Sequence, residues 1–123
     1  MVGRTDSEIG ERAARDATLG RSVRLFRAFL KEQSDPDHFY SILAADSVRQ
    51  ISEYVPLNGR LILDVGGGPG YFADAFRAAG AHYHGIDPDV GELSARGSPA
   101  AGMVRASGTE LPIRTGSVDI CYS

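Results

Sequence analysis

Between Leu61 and Phe72 an apolar run of strand length, Leu61-Ile62-Leu63, leads through Asp64-Val65 into the glycine cluster Gly66-Gly67-Gly68-Pro69-Gly70. An apolar pattern of helical period then opens at Phe72. The order is strand, tight turn, helix. Glycines at such a turn take positive φ angles and let a ligand approach the main chain with no Cβ in the way, while the helix behind them presents N–H groups that have no partner within the helix. A bound small molecule is the expected use of this stretch.

Asp64 decides which molecule. The segment Gly68-Pro69-Gly70-Tyr71-Phe72-Ala73 fits the G-x-G-x-x-G/A dinucleotide fingerprint, which would put a pyrophosphate on the turn. A carboxylate repels a phosphate, and the stretch has no Lys or Arg to offset it. S-adenosylmethionine reverses the argument, because it carries a sulfonium and an α-ammonium and no phosphate. The pattern Asp64-x-Gly66-x-Gly68-x-Gly70 resembles the first motif of the class I S-adenosylmethionine-dependent methyltransferases.

The composition is that of one globular unit: 123 residues, 42% hydrophobic and 24% charged. A net charge of −3 and a pI near 5.5 give no general attraction to nucleic acid or anionic lipid. The single cysteine, Cys121, excludes an internal disulfide and offers no metal-ligand spacing, and a cytoplasmic setting is expected. Asp6, Glu8 and Glu11 among the first residues argue against a secretory or transit segment, and no apolar run reaches membrane-spanning length.

Residues 1–18 are polar and read as a frayed helix or a disordered arm. From 19 to 56 two helices are expected as an N-terminal cap. In the first, Leu19, Val23, Phe26 and Leu30 share one stripe and Arg21, Arg24 and Arg27 another; Glu32 and Asp35 nearby favour a solvated face over a nucleic-acid surface. The second starts with Asp35 as N-cap and Pro36 at its first position, buries Tyr40, Ala44, Val48, Ile51 and Val55, and stops at Pro56. Residues 57–123 make the α/β part. After the turn, Phe72, Phe76 and Ala79 face the sheet and Gly80 ends the helix; His82 to Asp87 form a second strand, closed by Pro88. His82 and His84 share a face but lack a third ligand, so no metal is expected. The Gly-, Ser- and Pro-rich residues 90–101 predict a short or irregular helix, Met103 to Ala106 a third strand, and Ser117 to Ser123 a fourth with Cys121 buried in it.

Asp87 follows Gly70 at a spacing that suits a carboxylate accepting from two ribose hydroxyls, a feature that nicotinamide and S-adenosylmethionine binders share. Gly108-Thr109-Glu110-Leu111-Pro112-Ile113 and Gly116-Ser117-Val118-Asp119-Ile120-Cys121-Tyr122-Ser123 extend the resemblance, being similar to the family's Asp-Ala-x-x-Leu-Pro-Phe and Ser-Phe-Asp-x-Val-x-Ser segments. It then covers Leu61 to Ser123. What it implies is a Rossmann-like, doubly wound, mainly parallel sheet, incomplete in this chain, with the N-terminal helices as a cap and the strands in the order 3-2-1-4. Carried over position by position, Asp64, Gly66, Gly67, Gly68 and Gly70 would face the methionine moiety, Asp87 the ribose, and Ser107 and Gly108 the adenine. Pro88 counts among the cofactor-binding positions. Ser107 stands where the family usually has Asp, and a neutral hydroxyl is the weaker acceptor.

The implied reaction is in-line displacement at the sulfonium by a nucleophile on a methyl acceptor, expected to be a small molecule that no residue here identifies. Much of the catalysis would be positioning. No catalytic residue can be named. Family members continue beyond the fourth strand, so the sequence reads as the cofactor-binding half of a longer protein, with the strand Val118 to Tyr122 left as an edge open to self-association. Two other classes stand beside this one: an NAD(P)-dependent oxidoreductase, disfavoured by Asp64, and a cofactor-binding module without turnover.

Overall fold

The computed structural model describes residues 5–30 and 34–123. Glu32, one of the two nearby acids that favour a solvated reading of the arginine stripe, lies outside them. The chain divides into two compact units, one ending at Phe39 and one spanning Tyr40–Ser123.

The first unit is built on α1, Asp6–Phe29. It begins well before Leu19, because Thr5 and Glu8 form a capping box in which each side chain accepts the other's backbone N–H. Of the two readings of residues 1–18, the helix is the one found from Asp6 onward. Leu19, Val23, Phe26 and Leu30 remain exposed. The rings of Phe29 and Phe39 meet edge to face at 6.1 Å.

Helix α2 runs Pro36–Ser52, with Asp35 Oδ1 accepting the His38 N–H at 3.1 Å as the N-cap expectation requires. From Tyr40 onward it belongs to the second unit. There Ala44 is buried, and Tyr40, Leu43, Val48 and Ile51 pack on the core around it.

The core of the second unit is a sheet of β1 (Leu61–Val65), β2 (His82–Asp87), β3 (Met103–Arg105) and β4 (Ile120–Tyr122), all pairs parallel, in the order β3-β2-β1-β4. This is the α/β, Rossmann-like arrangement anticipated from the sequence. Central β1 buries Ile62, Leu63 and Asp64, as a near-continuous apolar run in a parallel sheet should. Between β1 and β2 lies α3, Ala73–Ala78, closed by Gly80 at φ 84°. Phe76 is fully buried, with its ring 5.9 Å from Tyr83 and 5.6 Å from Tyr122. Burying such a side chain is worth about 1.5–3 kcal/mol. After β2 comes only the short α4, Val90–Leu93, which Asp89 caps by accepting the Glu92 N–H.

At the amino ends of the strands, Asp119 accepts the Leu61 N–H through its side chain at 2.8 Å and donates its own N–H to the Leu61 carbonyl at 3.0 Å. That double link fixes the register of β4 on β1. Cys121 is exposed, contrary to expectation. In an edge strand of alternating side chains, Ile120 and Tyr122 take the core face, and Cys121 is turned to the opposite one, where it is exposed.

Candidate functional site

The carboxyl ends of β1 and β2 meet the glycine turn around a cavity of about 370 Å³, within the range of small-molecule sites. Asp64, Gly66, Gly67, Gly68 and Asp87, all singled out from the sequence, line it together. Gly70, Pro88, Ser107 and Gly108 are not among its walls. A Cβ on Gly70 would come within 2.7 Å of the Ala100 Cβ, so this glycine serves the packing of the following segment on the turn, where the Ala100 N–H also donates to the Pro69 carbonyl. The Ser107 hydroxyl is engaged with the Thr109 N–H and hydroxyl.

Gly66 and Gly68 sit at φ 79° and 56°, where a side chain would be strained. That backbone aims the turn's donors inward. Gly66 and Gly67 both donate to the Ile86 carbonyl, and Gly68 donates to Asp87 Oδ2 at 3.0 Å. The sequence predicts donors left over for a ligand at the head of the following helix; those of Gly66, Gly67 and Gly68, in the turn that precedes α3, are used by the chain itself. Asp87 Oδ1 accepts from the Asp89 N–H at 2.9 Å, so both oxygens already hold backbone and offer only their remaining lone pairs to a ribose.

Asp64 is 3% exposed, and its Oδ2 accepts from the Tyr83 hydroxyl at 2.5 Å. Burial pushes the Asp64 carboxyl above its ordinary range; the Tyr83 bond pulls it back and the charge of Asp87 adds to the rise. Burial and the adjacent Asp64 push the Tyr83 phenol upward too, keeping it a protonated donor. The cavity wall therefore carries Asp64, Asp87 and also Glu92, with no Lys or Arg among its residues. It suits a ligand with positive charge and no phosphate. Beside the Gly68 Cα there is room: an added Cβ would meet nothing nearer than Glu92 Oε2 at 3.9 Å.

The aromatic wall was less legible. Tyr40, expected from the sequence on the buried face of the second helix, also lines the pocket, stacked on Tyr71 at 4.3 Å and 14°. Phe72 and Tyr122 complete that side, their rings 5.1 Å apart. Tyr71, Glu92 and Tyr122 carry no sequence signal as pocket residues beyond their places in the glycine segment, in α4 and in β4.

The family model for a methyltransferase domain matches residues 63–123. An uncharacterized methyltransferase of Mycolicibacterium gilvum (strain PYR-GCK) is 51% identical over 117 residues, 87% of this chain and 46% of that protein. Another, from Mycobacterium ulcerans (strain Agy99), is 50% identical over 125 residues, 94% of this chain and 49% of that protein. The chain belongs to the class I methyltransferase family, whose members generally bind S-adenosylmethionine. It spans about half the length of the curated relatives it matches.

Proposed function

We propose that the chain binds S-adenosylmethionine in the cavity at the ends of β1 and β2 and serves a protein that moves its methyl group to a small-molecule acceptor in the cytoplasm. The observation that carries this reading is the charge of the cavity: Asp64, Asp87 and Glu92 line it without a cationic residue, and the N–H groups of Gly66, Gly67 and Gly68 are engaged within the chain. A dinucleotide would bring a pyrophosphate to a turn that offers it carboxylates and withholds these donors. When bound, S-adenosylmethionine supplies an activated methyl group. The chain's own residues hold and orient it: Asp64 attracts the cationic methionyl end, Asp87 accepts from the ribose, and the open side of Gly68 admits the ligand against the backbone. Ser107 and Gly108, outside the cavity walls, are the positions that the resemblance assigns to the adenine. Calorimetric titration of the chain with S-adenosylmethionine, S-adenosylhomocysteine and NAD is the test. Binding of the first two and not of NAD is expected; binding of NAD alone would overturn the proposal.

A further inference from the structure

Asp64 and Tyr83 are not cross-strand partners. Asp64 lies opposite Gly85 and Tyr83 opposite Ile62, so the hydroxyl reaches Asp64 diagonally, along the core face of the sheet. Two glycines clear the path. A Cβ on Gly85 would stand 3.1 Å from the Tyr83 Oη and still closer to the Met103 sulfur, and a Cβ on Gly67 would stand 2.7 Å from Asp64 Oδ2. The hydroxyl has a single proton. Asp64 Oδ2 at 2.5 Å takes it, ahead of the Met103 sulfur at 3.6 Å. Asp64 Oδ1 has no partner among the described residues; since no fully buried side-chain oxygen among them lacks one, Oδ1 keeps accessible surface, and Asp64 contributes it to the cavity.

We infer that Tyr83 is a positioning residue for cofactor binding: by occupying one oxygen of Asp64 it fixes the plane of the carboxylate and presents the other oxygen to the cationic end of the ligand. This rests on the S-adenosylmethionine reading of the cavity. A carboxylate held by one donor in a dry site loses little rotational freedom when a second donor arrives, so the ligand meets it already oriented. The groups around the pair are few. Asp87 faces Asp64 from the same strand as Tyr83, Glu92 lines the cavity from α4, Tyr40 and Tyr122 line it from α2 and β4, the Arg77 guanidinium of α3 lies 5.5 Å from the Tyr83 ring centroid, and the Arg96 guanidinium lies 5.2 Å from the ring centroid of Tyr71 in the cavity wall.

The test is a double-mutant cycle on affinity, with Tyr83→Phe, Asp64→Asn and the pair titrated with S-adenosylmethionine across pH, each variant's melting curve recorded alongside. Tyr83→Phe is expected to weaken binding about tenfold, the scale of one charge-assisted hydrogen bond, and to add almost nothing once Asp64 is already Asn. Removing the donor also raises the Asp64 pKa, so affinity in Tyr83→Phe should begin to fall at a higher pH than in the unmutated chain. A purely structural Tyr83 would give additive losses and an unmoved pH profile, and that result overturns the inference. Absence of binding by the unmutated chain would instead sink the cofactor reading itself.

Discussion

Asp87 holds the glycine turn from the neighbouring strand: its Oδ2 accepts the Gly68 N–H at 3.0 Å while its Oδ1 accepts the Asp89 N–H at 2.9 Å. A side chain expected from the sequence to accept from a ribose also shapes the glycine turn. Asp87→Ala should therefore cost about 1.5–3 kcal/mol for each charged hydrogen bond lost and lower the melting temperature even without ligand, besides weakening S-adenosylhomocysteine binding. Chemical denaturation and calorimetry of the same samples check both. Unchanged stability would show that the turn keeps its shape without this anchor.

Gly68 separates fold from function more cleanly. Replacing it with Val places a branched side chain at φ 56° and into the open side of the cavity. The left-handed backbone costs about 1–2 kcal/mol, so a folded protein should remain, and binding should be lost. A cooperative melt with no heat of binding is the expected pair of results; retained affinity would move the ligand away from this turn.

Asp64 is predicted to weaken the protein it serves. Its carboxyl is pushed above the ordinary range, so the folded chain holds that proton more tightly than the unfolded chain does. Stability then falls as pH rises from the ordinary carboxylate value through the raised one, and above that interval the loss stays constant. Asp64→Asn should melt higher than the unmutated chain at neutral pH, with the difference shrinking in acid, and should bind S-adenosylmethionine less well. Melting curves between pH 3 and 8, about the span over which carboxylates titrate, measure the crossover. A lower melting temperature for the variant at pH 7 would contradict the burial argument.

At the other end of the strands, Asp119→Ala removes the acceptor of the Leu61 N–H and should destabilise the sheet by about 1 kcal/mol with cofactor affinity intact in the folded fraction. An affinity loss in a variant still fully folded would mean that β4 also positions the cavity.

β4 stands at the end of the strand order, paired on one side to β1. Such an edge is a template for another strand. Self-association of the 123-residue chain is expected in sedimentation equilibrium; a monodisperse monomer would refute it.

The strands were legible because their signals are local. An acid followed closely by a glycine or proline ends both β1 and β2, and Asp35-Pro36 announces α2 from two adjacent residues. The site was legible as far as it is covalently contiguous with those signals: Asp64 with its glycines, and Asp87. What sequence could not carry was pairing at a distance. The reach of Tyr83 to Asp64 depends on a register set by the sheet, and the exposure of Cys121 on which strand lies at its edge. The Gly70 motif position proved to be a packing site because Ala100 returns against it, a contact made by a segment whose path no local pattern announces.

The donors of the glycine turn set a limit on redesign. With the N–H groups of Gly66 and Gly67 directed to the Ile86 carbonyl and that of Gly68 to Asp87, a basic residue at position 64 would still leave Asp87 and Glu92 in the pocket wall and these amides turned away from a phosphate. Converting this cavity to a nucleotide diphosphate site requires rerouting the backbone between β1 and β2. For an engineer, cofactor class is here a property of the loop's wiring, beyond the reach of a point mutation.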